Sequence, residues 1–115
     1  PASTARRIRR NPAVSRAISL METHLDDPLS ISEIAHRTGL SQRSLEHRFH
    51  RHVSTPPKAF YLGLRLSEAQ RLAMETNLPV QDIALTTGFS SQSSFARAFR
   101  LRFGQSVRDL RHALT

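Results

Sequence analysis

The chain says the same structural thing twice. Ile31-Ser-Glu-Ile-Ala-His-Arg-Thr-Gly-Leu-Ser41 aligns with Val80-Gln-Asp-Ile-Ala-Leu-Thr-Thr-Gly-Phe-Ser90 at an offset of 49 residues. Ile34/Ile83, Ala35/Ala84, Thr38/Thr87, Gly39/Gly88 and Ser41/Ser90 are identical. Beyond the turn the offset becomes 50, where Gln42/Gln92, Ser44/Ser94 and Phe49/Phe99 match and Leu45 corresponds to Phe95. Each copy has an Ala where a second helix crosses closely, a Gly at the bend, and apolar anchors at i and i+4 beyond it. Those are the requirements of a helix-turn-helix. A single copy arises by chance in many small helical proteins, whereas two with the same internal spacing point to a duplicated unit.

After residues 1–10 almost everything reads as helix, with no alternation long enough to argue for a strand. Asn11 as N-cap and Pro12 at the first helical position open a helix whose Val14, Ala17, Ile18, Met21 and Leu25 form one apolar stripe. Asp26-Asp27-Pro28 ends it, and Ser30 with Glu33 has the form of a reciprocal capping box for a short helix to about Thr38. A further helix, about Gln42 to His52, buries Leu45, Phe49 and Val53. Thr55-Pro56-Pro57 opens a longer helix to about Thr76 that is apolar on more than one side, as a helix between two packing partners must be. Asn77 to Pro79 break it before the second copy. The expected organisation is a basic arm or linker remnant over 1–10, a first helix-turn-helix subdomain over 11–54, a linking helix over 55–77 and a second subdomain over 78–115. The sequence opens at Pro1 without a Met, as a fragment or processed product would.

Charge indicates what such a unit meets. Among 115 residues, 17 Lys+Arg face 9 Asp+Glu, a formal net charge of +8, and every one of those cations except Lys58 is Arg. Arginine's planar fork suits phosphates and guanine edges, so the excess points to a polyanion. Cysteine is absent, which removes disulfides, thiolate metal sites and cysteine nucleophiles. No apolar run approaches the ~18 residues of a membrane span, and no signal peptide is visible. His47, His50 and His52 do not share one helix face and have only Glu46 nearby, so no metal site is expected. No phosphate-cradling glycine loop or nucleophile–base pair is suggested, so neither catalysis nor a cofactor is expected.

With Leu45, Phe49 and Val53 turned inward, the helix after the first turn offers Gln42, Arg43, Glu46, His47 and His50. Arg pairs with guanine, Gln with adenine and Glu with the cytosine amino group. In the second copy Phe95, Phe99 and Phe103 turn inward and leave Gln92, Ser93, Ala96, Arg97 and Arg100, with Arg97 the main candidate base reader. Phosphate contacts are expected from Ser41, Arg51, Arg65, Ser91 and Arg100. Arg37, Lys58, Arg71, Arg102 and Arg108 are further candidates for phosphate contact or plain solubility, and the two serines also suit N-capping. A linking helix of about 19 residues spans ~28 Å, near the ~34 Å between successive major-groove faces. One chain with two such units can therefore address adjacent groove segments without dimerising.

Ile31 to Val53, Pro57 to Leu66 with Ala69, Asp82 to Phe89, Ser94 to Phe99 and Phe103-Gly104 together resemble the DNA-binding domain of AraC/XylS-type bacterial transcription regulators. The resemblance covers about residues 11–112, and its most specific part is Ile83-Ala84, Gly88-Phe89, Phe95, Arg97, Phe99 and Phe103-Gly104. It implies an all-α fold of seven helices, two helix-turn-helix subdomains joined by a long central helix, with both recognition helices in the major groove. By position, base contacts fall on Arg43, Glu46 and His47, then on Gln92, Ser93, Ala96 and Arg97. Val107 stands where the family often has Pro, Leu110 where it often has Tyr, and Ser54 at a frequent Gly position, departures that bear on local packing. The resemblance also implies a sensing or dimerisation domain preceding Pro1; the Asn11–Leu25 helix and the Pro-Pro linker are similar to the subgroup with an amidotransferase-like N-terminal domain.

The resulting expectation is a cytoplasmic, nucleoid-associated, sequence-specific binder of double-stranded DNA that activates transcription through RNA polymerase. Two alternatives stay open on sequence alone: a nonspecific nucleic-acid binder, and a helical protein-interaction module.

Overall fold

The computed structural model describes residues 11–115; the basic segment 1–10 lies outside the described residues. Among the described residues there are seven helices and no strand: α1 Pro12–Thr23, α2 Ile31–Arg37, α3 Gln42–Val53, α4 Pro57–Glu75, α5 Val80–Thr86, α6 Gln92–Phe103 and α7 Val107–Leu114. The chain divides into two compact units, residues 11–24 with 28–62, and residues 25–27 with 63–115. The 19-residue α4 is shared, its first part belonging to one unit and the rest to the other, with the division between Leu62 and Gly63.

In the first unit α1, α2 and α3 pack on one another. Asn11 caps α1 by accepting from the Val14 amide at 3.1 Å, and Pro12 occupies the first turn, where its missing N–H costs nothing. Val14, Ala17 and Met21 are fully buried beside Ile34, Leu45 and Phe49, while Ile18, Ile31 and Val53 end half-buried at the core's edge. Ser30 caps α2 through the Glu33 amide, but the reciprocal half of the expected capping box is absent. The Glu33 carboxylate instead accepts from Arg37 Nε at 2.8 Å, one turn along the helix, where the opposite charge outcompetes a neutral amide donor.

In the second unit α5 packs on α6. Ile83, Ala84, Phe95 and Phe99 repeat the buried positions of Ile34, Ala35, Leu45 and Phe49. Thr38 and Thr87, both buried, return their hydroxyls to the carbonyls of Ile34 and Ile83, the same internal device at the end of α2 and of α5. Gly39 and Gly88 follow at φ +74° and +83°, the left-handed conformation that turns the chain into the next helix.

The duplication extends beyond the turn. Pro57 and Val107, 50 residues apart, are both buried at the start of a helix. Further along those helices, Tyr61 donates its hydroxyl hydrogen to the His24 carbonyl in the first unit. At the matching position in the second unit, Arg111 donates Nε to Ala73 O at 3.0 Å and Nη2 to Thr76 O at 3.1 Å. Each unit is therefore a four-helix copy closed by a side chain from its last helix onto the end of its first, and α4 serves both as last and as first. The Val107 and Leu110 departures leave this docking in place: Ser106 caps α7, Val107 is buried and Arg111 closes the unit.

Candidate nucleic-acid interface

The orientation of each recognition helix follows from three local anchors. In α3, Ser41 Oγ accepts the Ser44 amide at 3.1 Å, which fixes the start, and fully buried Leu45 and Phe49 fix the rotation about the axis. In α6, Ser91 Oγ accepts the Ser94 amide at the same distance, and Phe95 and Phe99 are fully buried. Phe49 meets Phe60 edge-on at 5.8 Å, so the α3 anchor is itself held by α4 within the first unit.

With these positions turned inward, one arc of each helix is left to solvent. Gln42, Arg43, Glu46, His47, His50 and Arg51 are all exposed on α3. Gln92, Ser93, Ala96, Arg97, Arg100 and Leu101 are exposed at the same six helical positions on α6. All eight expected base-reading side chains thus lie on these two arcs, with Arg51 and Arg100 beside them. Ser41 and Ser91 are exposed at the helix starts, where their oxygens cap the helix, and the Ser91 hydroxyl also donates to Ser94 Oγ at 3.3 Å.

Arg65, expected as a phosphate contact, has its guanidinium engaged within the protein. It is half-buried within the second unit, and its guanidinium is turned onto the α5–α6 turn: Nε donates to Thr87 O at 2.7 Å and Nη2 to Gly88 O at 2.8 Å. The other expected cations are engaged to different degrees. Arg37 pairs with Glu33, and Arg71 makes a two-pronged contact with Glu68 at 2.7 and 2.8 Å and approaches Glu75 at 3.6 Å. The hydrogen bond from Arg71 holds the Glu68 carboxyl below the usual carboxylate range, partly opposed by its desolvation.

Two features were not read from sequence. Leu101, 88 % exposed, continues the Ser93–Arg97 line by one turn, and a side chain of that kind offers apolar contact to a thymine methyl. The offset of 50 that pairs it with Arg51 was the available signal. Arg111 closes the second unit onto carbonyls in residues 73–76, for which no local pattern gives a sign. Among the described residues no group of three or more His, Asp or Glu side chains comes together to hold a metal, and no helix is long and apolar enough to cross a membrane.

Comparison with known proteins identifies the kind of domain. Residues 34–113 match the family described as a helix-turn-helix domain. The chain is 41 % identical over 96 residues to the HTH-type transcriptional regulator CdhR of Pseudomonas aeruginosa, covering 84 % of this chain and 29 % of that protein. The chain spans about three-tenths of the length of CdhR and of the HTH-type transcriptional regulator ArgR of the same organism. Among solved structures, it is similar to a Chromobacterium violaceum transcriptional regulator of the type containing an AraC-type DNA-binding domain, at TM-score 0.83 and 38 % identity, covering 88 % of this chain and 90 % of that one. It is also similar to the DNA-binding domain of AdpA, a global transcriptional factor solved with a target DNA, at TM-score 0.83 and 25 % identity over 90 % of this chain and 92 % of that one.

Proposed function

The chain belongs to the family of AraC-type helix-turn-helix DNA-binding domains of transcription regulators, and from that premise we propose how it reads its site. The family is one of regulator domains and not of enzymes. Recognition helices α3 and α6 enter adjacent major-groove segments of double-stranded DNA. Gln42, Arg43, Glu46 and His47 read one half-site, and Gln92, Ser93, Ala96 and Arg97 read the other. Ser41, Arg51, Ser91 and Arg100 contact the flanking phosphates. The observation that carries this reading is the recurrence of one exposed arc, at the same six helical positions, on two helices that share a serine cap and a buried pair at matching positions.

The two arcs imply different chemistry. That of α3 carries donors and acceptors for several bases, including a carboxylate suited to the cytosine amino group. That of α6 offers one strong reader, Arg97, beside Ala96, which suits a thymine methyl. The longer regulator supplies sensing or dimerisation from its remaining part and acts in the cytoplasm on the nucleoid. It activates transcription through contact with RNA polymerase, a reading supported by similarity to a relative named as the activator RhaS, of Escherichia fergusonii.

Selection of bound sites from random duplexes tests this reading. Two motifs about one helical turn apart are expected. A single motif, or enrichment without sequence preference, overturns it. Affinity should also fall steeply with salt, since counterions released from phosphates dominate the free energy.

A further inference from the structure

Arg65 connects α4 to the turn that launches the second recognition helix. Two hydrogen bonds from its guanidinium go to carbonyls of consecutive residues at the end of α5, acceptors that a helix terminus leaves without intrahelical partners. Its Cζ also lies 4.3 Å from the centroid of the Phe89 ring. A planar fork over an aromatic face and between two carbonyls is an arrangement that arginine makes and lysine cannot. Phe89 meets Phe95 edge-on at 5.3 Å, and Phe95 lies 5.5 Å from Phe99. These last two are the side chains whose burial sets the rotation of α6. A continuous path of contacts therefore runs from the Arg65 guanidinium through the turn and three phenyl rings to the helix that carries Ser93 and Arg97.

Among the described residues the first unit shows no such path. Its turn is Thr38-Gly39-Leu40, without the aromatic ring, and the place on α1 that matches Arg65 is occupied by Ala13 once the loop between α4 and α5, three residues shorter than that between α1 and α2, is allowed for.

We propose that Arg65 is a positioning residue for the second half-site: it fixes the turn and so the pose in which α6 meets base edges, and it is not a phosphate contact. This rests on the reading that α6 recognises bases. The experiment compares Arg65→Lys, Arg65→Gln and Phe89→Leu with the parent chain on the selected duplex, on duplexes with single base changes in either half, and across a salt series. Arg97→Ala serves as the control for base reading by α6.

The expected result is that Arg65→Lys, which keeps the charge, loses about tenfold discrimination at the second half-site. First-half discrimination and the salt slope stay as in the parent, and Arg65→Gln behaves alike. If instead Arg65→Lys matches the parent while Arg65→Gln weakens all duplexes equally and lowers the salt slope by about one, Arg65 is a phosphate contact and the proposal fails. Amide-exchange protection at Phe95 and Phe99 reports whether the second unit stays folded. Should an Arg65 variant lose that protection, Phe89→Leu decides: it keeps both hydrogen-bond acceptors and an apolar side chain, and unchanged second-half discrimination in it overturns the proposal. Loss of discrimination in Arg97→Ala but not in Arg65→Lys refutes the role of Arg65 alone. Unchanged discrimination in Arg97→Ala refutes base reading by α6, and the proposal with it.

Discussion

The two units share a plan and differ in how they enforce it. The first is built on aliphatic packing, with Val14, Met21, Ile34 and Leu45 buried around Phe49, and α2 has a serine cap. The second keeps aliphatic partners such as Leu66 and Ile83 but adds a run of rings, Phe89, Phe95, Phe99 and Phe103, with successive centroids 4.7 to 5.5 Å apart. Its α5 begins at Pro79 with no side-chain cap bond, and the turn is held from α4 by Arg65. The exposed arcs diverge more: α3 presents Arg43, Glu46, His47, His50 and Arg51, whereas α6 presents Ser93, Ala96, Arg97, Arg100 and Leu101. A duplicated fold can thus keep its buried positions in register while the outward ones drift, because packing constrains volume and an exposed arc answers only to what it binds.

The largest expected difference between the units lies in their cores. Phe95→Ala should cost about 3–5 kcal/mol and Leu45→Ala about 2–5 kcal/mol, with Phe95 the costlier because it anchors two ring contacts. Urea denaturation of both variants checks the order, and a costlier Leu45→Ala would show that the aromatic chain adds nothing beyond its area.

Next in size is base reading. Arg43→Ala and Arg97→Ala should each remove about 1–3 kcal/mol at one base position, in different half-sites, as measured by competition with singly substituted duplexes. Uniform weakening across all duplexes in both variants would erase the distinction between the two faces and favour a nonspecific binder.

The caps after the recognition helices differ by one residue type. Ser54 ends α3 at φ +61° where Gly104 ends α6 at φ +75°. Ser54→Gly should stabilise the first unit by about 1 kcal/mol, and Gly104→Ser should destabilise the second by a similar amount. Thermal melts of the two variants should shift in opposite directions; equal shifts of one sign would mean the left-handed caps are not equivalent.

The smallest effect concerns Glu68, which has no ion-paired counterpart on α1 among the described residues. Because the Arg71 hydrogen bond lowers the folded-state pKa of Glu68, its contribution is present above the unfolded carboxylate pKa and is lost as pH falls through the lower folded value. Glu68→Gln should therefore melt slightly below the parent near neutral pH and coincide with it in strong acid. A difference that persists in acid would show that packing, and not charge, is what the substitution disturbs.

Much of this was legible in advance because it is local. The cap residues Asn11, Ser30, Ser41 and Ser91, the turn glycines 39 and 88, and the buried pairs Leu45/Phe49 and Phe95/Phe99 all declare themselves within a few residues of chain. The exposed arcs followed by subtraction. Glu33 was misassigned because a capping amide and a neighbouring arginine compete for one carboxylate, and the charged donor won.

What the sequence determined by itself was the duplicated helix-turn-helix, the identity of its buried positions and the polar arcs left over, since helical periodicity dictates burial one turn at a time. Only the tertiary structure decided where the long cationic side chains go. Arg65 reaches carbonyls 22 and 23 residues away and Arg111 reaches carbonyls 38 and 35 residues away. A flexible guanidinium has many accessible rotamers, and the one it occupies is selected by acceptors that only the folded chain brings within reach.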